Sequence, residues 1–223
     1  MSTLQELLDP ELPVSGVALL AFDSHSGVLV RTPSSTLIFD PVGIAVEKVA
    51  RADAIIVTHE HADHLNVPLV RELQQKTGAA VITTPFVAGL LRGVPPQRLR
   101  PLEIGGATSI KGNALRAWPS VHPGRQPLSF LLETEERVRL YHPSDSDPFP
   151  EMADLARQGE PDLLLYLGSS LEKALQIVGL VRPQTLLSRY LEPTQLERRL
   201  EEERTGTRSV VLHPLEIFHQ PAQ

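Results

Sequence analysis

The stretch His59-Glu60-His61-Ala62-Asp63-His64 places three imidazoles and the Asp63 carboxylate within six residues, directly after the apolar run Ala54-Ile55-Ile56-Val57. Imidazole nitrogens and carboxylate oxygens are donors that borderline divalent metals accept, so the composition is that of a metal site. A strand over 54–57 that ends at Thr58 delivers the next residues to a loop at the carboxyl edge of its sheet, where active sites of layered α/β folds lie. His59 and His61 stand two apart, so in locally extended backbone both side chains leave on one face and can chelate one ion together. Asp63 and His64 follow a turn later, before a helix, and diverge enough to serve a second ion or to support the first.

The elements that must position these groups can be read from periodicity and turn chemistry. Residues 17–22, 27–31 and 36–39 read as short strands, with Pro33-Ser34-Ser35 as a hairpin turn. Residues 46–50 form a short helical stretch. After the motif, Asn66 is an N-cap, Pro68 lies in the first turn, Leu69, Val70 and Leu73 make an apolar stripe, and Gly78 stops the helix. The positive end of that helix then faces the motif. Residues 79–83 read as the next strand, and 86–92 as a brief helix before the breaker Gly93-Val94-Pro95-Pro96. Strands over 108–110, 115–118, 129–132 and 138–141 belong to a second sheet, followed by strands over 163–167 and 185–187. Between the last two, Ser169-x-x-Glu172 has the form of a capping box for a helix carrying Leu171, Leu175 and Val178, with Pro183 beyond its end. Residues 193–204 read as a charged surface helix. With no repeat and no long linker, one domain over residues 1–223 is expected.

A chain of 223 residues that is 41% hydrophobic can bury a full core. Its formal net charge of −6 offers no basic stripe to a nucleic-acid backbone, which argues against a nucleic-acid partner but leaves room for a small phosphorylated substrate. There is no long apolar segment, and residues 1–16 carry three acidic residues and no Lys or Arg, so neither a signal peptide nor a membrane partner is expected. A soluble, cytoplasmic protein of open oligomeric state is the reading. Zero cysteines removes disulfides and thiolate ligands, leaving His and carboxylates to hold any metal.

The pattern His59-x-His61-x-Asp63-His64 resembles the signature of the metallo-β-lactamase superfamily. The opening, Asp23-Ser24-His25-Ser26-Gly27-Val28-Leu29-Val30 through Leu37-Ile38-Phe39-Asp40-Pro41, resembles that of the branch that includes L-ascorbate-6-phosphate lactonase-like proteins, with Asp23 in place of a Gly. The resemblance runs from about Val17 to Tyr190. It implies an α/β fold, specifically a four-layer αββα sandwich. It also implies that His122, in Ser120-Val121-His122-Pro123-Gly124, joins His59 and His61 on a first metal. Asp145, in Tyr141-His142-Pro143-Ser144-Asp145-Ser146, is implied as a bridge to a second metal held with Asp63 and His64, and Asp147 is the alternative residue for that role. Asp40 is implied as a carboxylate that orients a ligand imidazole. His25 matches the opening His of the branch, and His142 lies three residues before Asp145; either is a candidate proton donor or substrate contact. His213 and His219, in the tail, are not expected to function.

One position departs from the family pattern. In Leu187-Ser188-Arg189-Tyr190, Arg189 stands where the resemblance places the last metal-binding His, and a guanidinium does not deprotonate in proteins and cannot be a ligand. A second ion could then bind weakly, with water or His213 filling in. Alternatively Arg189 pairs with Asp63 or Asp145 in place of that ion, or clamps a substrate carboxylate or phosphate. A one-residue shift of the strand would instead turn it outward. Arg125 and Arg189 together hint at an anionic ligand. Zn(II) is the expected metal, with Mn(II) or Fe(II) as alternatives, in one or two ions. A metal on three His with an open position lowers the pKa of its water toward neutrality. The expected activity is therefore metal-dependent hydrolysis of an ester, lactone or phosphoester of a small substrate by a metal-bound hydroxide, with Asp63 orienting the water or carrying a proton. The competing reading is a metal- or ligand-binding protein of the same fold in which Arg189 has removed efficient hydrolysis; the acidic charge disfavours a nuclease.

Overall fold

Strands whose every residue is apolar need cover on both faces, and this chain supplies it with two stacked sheets and an outer helical layer on each side. The structure, a computed structural model, describes residues 15–23 and 26–222, so the candidate contact His25 lies outside the described residues. The first sheet contains β1 (Val17–Ala21), β2 (Val28–Arg31), β3 (Thr36–Phe39), β4 (Ala54–Ile56), β5 (Ala80–Thr83), β6 (Leu99–Pro101) and the late strand β14 (Ile217–Gln220). Its order is β14-β1-β2-β3-β4-β5-β6. The second contains β7 (Ala107–Ile110), β8 (Asn113–Pro119), β9 (Leu128–Glu133), β10 (Arg139–His142), β11 (Leu163–Tyr166), β12 (Thr185–Ser188) and β13 (Arg208–Val211). These run side by side from β13 down to β7.

The period-two geometry of a strand sorts its side chains between layers. In β1, Val17, Leu19 and Ala21 enter the core between the sheets, where they meet Leu115, Phe130 and Leu165 of the second sheet. Ala18 and Leu20 point the other way, into a core shared with α1 (Val67–Thr77) and α2 (Pro85–Leu90). On the far side, Leu131, Tyr141, Leu164 and Leu186 pack against α3 (Ala153–Arg157), α4 (Leu171–Val181) and α5 (Pro193–Glu202). The result is the expected α/β architecture of four layers in the order αββα. Among the described residues, no helix is long and apolar enough to cross a membrane.

Strand direction decides where the chemistry-bearing loops emerge. β3, β4, β5 and β6 are mutually parallel, as are β10, β11, β12 and β13. β8 and β10 are each antiparallel to β9 and therefore run the same way. The loops after β3, β4, β8, β10 and β12 thus collect at the carboxyl edges of the two sheets. At the amino end of β3 the sheets are tied by polar groups: the buried Asn113 amide donates to Ser35 Oγ at 3.0 Å, and Ser34 N–H donates to Glu135 Oε1 at 2.8 Å.

Local signals placed several elements as expected. Leu69 N–H donates to the Asn66 side chain at 3.2 Å, and Gly78 closes α1 with φ 69°. Three strands were not anticipated. β6, β13 and β14 are edge strands with one neighbour and partial exposure, so Leu99-Arg100-Pro101, Arg208-Ser209-Val210-Val211 and Ile217-Phe218-His219-Gln220 lack the apolar pattern of the interior ones. The five-residue α3 was missed as well. The expected cap of α4 is corrected by one residue: Ser170, not Ser169, has the extended backbone of an N-cap and accepts the Lys173 N–H at 3.3 Å. Glu172 is accordingly free of the capping box and binds Arg199 of α5 at 2.7 Å.

Phe130 is 1% exposed and meets Phe39 of the opposite sheet edge-on, with ring centroids 6.4 Å apart. Phe130→Ala should lower the unfolding free energy by about 3–5 kcal/mol, measured as a shift in the urea midpoint at unchanged m-value.

Candidate metal centre

The centre starts where β4 ends. Val57 still pairs with the neighbouring strand through its N–H to Ile82 carbonyl at 3.0 Å, after which the chain leaves the sheet and His59 turns inward, with no exposed surface. A tight turn, in which the N–H groups of His64 and Leu65 both donate to the His61 carbonyl, brings His64 back toward His59. His122 arrives from the loop after β8. Its Nε2 lies 3.1 Å from His61 Nδ1, which is itself 3.1 Å from His59 Nε2. Donors about 2.0–2.1 Å from a tetrahedral ion are about 3.3 Å from one another, so the three nitrogens are spaced as the ligands of one metal would be.

A second group shares His59 and adds His64 and Asp145, with its ligand atoms all within 4.8 Å of one another. His64 Nε2 lies 3.1 Å from Asp145 Oδ2, while its Nδ1 donates to Asp40 Oδ2 at 2.9 Å. Asp40 is fully buried at the carboxyl end of β3, in the left-handed region at φ 44°, which aspartate tolerates better than most residues. Burial pulls the His64 imidazole down, but Asp40 and Asp145 together outweigh it and carry it up to about 10. Burial raises Asp145, and His64 more than offsets this and holds the carboxyl down at about 2. Burial and the neighbouring His64 push His59 down to about 4, and burial also lowers His122.

The remaining sequence candidates are placed differently. Asp63 is half-exposed, with Oδ2 3.8 Å from His64 Nε2, and stands outside both groups. Asp147 is paired with Lys173 and takes no part in either group. His142 is buried, donates from Nδ1 to the Leu165 carbonyl at 3.2 Å and lies edge-on to Phe39; it does not reach the ligand atoms. Arg189 follows β12, with one guanidinium nitrogen buried and without a hydrogen-bond partner among the described residues, and Cζ 5.3 Å from the Tyr190 ring centroid. It makes no ion pair with Asp63 or Asp145, whose nearest cationic neighbour is His64 instead. Arg125 is exposed over Phe86. His219 hydrogen-bonds the Ser15 carbonyl from β14.

Three side chains that the sequence did not single out hold the centre together. Glu60 Oε1 accepts the Arg125 N–H at 2.6 Å, pinning the His122 loop to the motif itself. Gly124, at φ 143°, allows this approach, since a Cβ there would sit 3.3 Å from the same oxygen. From the other side, Ser146 Oγ accepts the Val121 N–H at 2.8 Å and ties the His122 loop to the Asp145 turn. The third is Thr58, which touches Asp40, His59, His64 and Ser144. Beside the centre opens a cleft of about 540 Å³, lined by Asp63, His64, His122 and Asp145 of the centre and by Tyr166, Lys173 and Tyr190. Of the basic side chains, Lys173 lines this cleft, paired with Asp147, whereas Arg125 and Arg189 do not.

A family model described as a beta-lactamase superfamily domain matches residues 21–188. A UPF0173 protein of Pyrococcus furiosus is 28% identical over 210 residues, covering 87% of this chain and 96% of its own. A UPF0173 metal-dependent hydrolase of Methanopyrus kandleri is 23% identical over 226 residues, covering 88% and 97%. Among solved structures, Igni18, described as a novel metallo hydrolase from Ignicoccus hospitalis, superposes with a TM-score of 0.77 at 20% identity, covering 92% of this chain and 99% of that one.

The charges set a pH signature for the metal-free protein. His64 is raised from 6.5 to about 10, so its contribution is complete below pH 6.5 and lost as pH rises through 10. His59, lowered from 6.5 to about 4, acts oppositely: folding loses stability as pH falls from 6.5 toward 4. Asp145, lowered from 3.8 to about 2, adds a further loss below 3.8. In chelator, the urea midpoint should therefore peak near pH 6.5, and His64→Gln should remove most of the alkaline fall.

Proposed function

Because the chain belongs to the metallo-β-lactamase superfamily, we propose that it is a metal-dependent hydrolase acting on a small substrate in the cleft beside His64 and His122. The observation that carries this reading is the convergence of His59 Nε2, His61 Nδ1 and His122 Nε2. These three would hold a first ion, and His64 and Asp145, with Asp63 nearby, would hold a second. The donor set, imidazole nitrogen and carboxylate oxygen without thiolate, suits Zn(II) best and also accepts Mn(II) or Fe(II). When bound, such an ion supplies Lewis acidity and an activated water near neutral pH. The relatives described as metal-dependent hydrolases support the same reading.

The chain's own residues supply the rest. Asp63, half-exposed at the cleft and outside both ligand groups, is free to orient water or carry a proton at its carboxylate. Tyr166 and Tyr190 give the substrate's body an aromatic wall, and Lys173, paired with Asp147, lines the same cleft. An ester, lactone or phosphoester centre fits this arrangement, and the lactonase-like opening motif favours the lactone. His59 belongs to both ligand groups, its Nδ1 faces Thr58, and one nitrogen serves one ion. The three-His group therefore fills first, and the second holds its ion more weakly. This supports a reading in which one tightly held ion suffices.

Purified protein should carry at least one transition-metal ion per chain by mass spectrometry. His61→Ala should lose that ion and cut turnover on a lactone and ester panel about 100-fold or more. Full turnover in the variant would sink the assignment.

A further inference from the structure

The hydroxyl of Thr58 has one proton to give and two lone pairs to fill, and four polar groups crowd around it. Asp40 Oδ2 lies at 2.9 Å, Ser144 Oγ and His59 Nδ1 each at 3.0 Å, and His64 Nδ1 at 3.3 Å. A carboxylate can only accept, so the Thr58 proton goes to Asp40. The two lone pairs must then be filled by donors, and the two nearest are the Ser144 hydroxyl and His59 Nδ1–H. His64 Nδ1, closer to Asp40 at 2.9 Å, donates there instead. A neutral His59 that donates from Nδ1 has a bare Nε2, the atom that faces His61.

The same residue grips Asp40 a second time. Thr58 N–H donates to Asp40 Oδ1 at 2.8 Å, so both carboxylate oxygens are held and the oxygen that receives His64 cannot rotate away. Since Thr58, Asp40, His59, His64 and Ser144 are all buried, no water competes for these bonds. We infer that Thr58 is a positioning residue for both ligand groups: one hydroxyl dictates which nitrogen His59 offers to a metal and, through Asp40, which nitrogen His64 offers. This rests on the metal reading of the site, and it extends that reading to a residue that touches no metal.

The test combines two measurements. In the metal-free wild-type protein, long-range nitrogen–proton correlation spectra of the histidines should show His59 protonated at Nδ1 and bare at Nε2. Thr58→Val, which keeps the branched shape and the backbone N–H, should weaken Zn(II) binding 10–100-fold in competition with a chelating indicator, and Thr58→Ser should restore it. A His59 that carries its proton on Nε2 would overturn the inference, and this reading needs no variant to fold. So would a Thr58→Val protein with a lower melting temperature but wild-type Zn(II) affinity, since that is how a purely structural residue behaves. Wild-type protein that binds no Zn(II) would instead overturn the metal reading, leaving the His59 tautomer to decide the role of Thr58.

Discussion

A carboxylate with no exposed surface must find donors for its charge, because an ion left unpaired in the interior costs several kcal/mol. Asp40 meets that demand with three, the N–H and hydroxyl of Thr58 and the Nδ1 of His64, and the centre is arranged around this requirement. The parallel pairing of β3 with β4 sets Phe39 opposite Ile56, which carries Asp40 past the strand end to within reach of Thr58, so sheet register and side-chain chemistry specify one another. A slip of one residue would turn the carboxylate into the apolar core on one side or the other. The buried charge therefore fixes the strand pairing as firmly as the apolar contacts do.

The His-rich loop and the interior of the sandwich were legible because both are local. Asn66 and Gly78 announce α1 by side chain and by backbone freedom, and Ala54-Ile55-Ile56-Val57 can hardly be anything but a covered strand. What the sequence concealed depends on residues far apart. Thr58 meets Asp40 across 18 positions and Ser144 across 86, and no local pattern reports such a meeting. Glu60 sits inside the motif yet acts on a backbone N–H 65 residues away. His122, alone in a Pro/Gly loop, carried no signal of its own, and only the family resemblance pointed to it. For Arg189 a family position could be named but not a direction: the buried guanidinium nitrogen faces no carboxylate of the centre.

The division of labour between the sheets also explains what is free to vary. The first sheet supplies His59, His61, His64 and Asp40 from two adjacent parallel strands, whose positions the core dictates. The second supplies His122 and Asp145 from separate loops, held by Ser146 and Glu60. The wall that carries Tyr166, Lys173 and Tyr190 belongs to neither ligand group. Because none of the three belongs to a ligand group, the same ligands can be combined with another lining, which is how one scaffold comes to serve many reactions.

Seen mechanically, the two sheets are the covers of a book. Its spine is the polar tie of Asn113, Ser34, Ser35 and Glu135 at the amino end of β3, while the histidines at the opposite edge meet like the halves of a clasp. Between spine and clasp the apolar core fills the space from one cover to the other. An ion gripped by His59 and His61 on one cover and His122 on the other would cross-link the sheets at that edge, as the polar tie does at the spine.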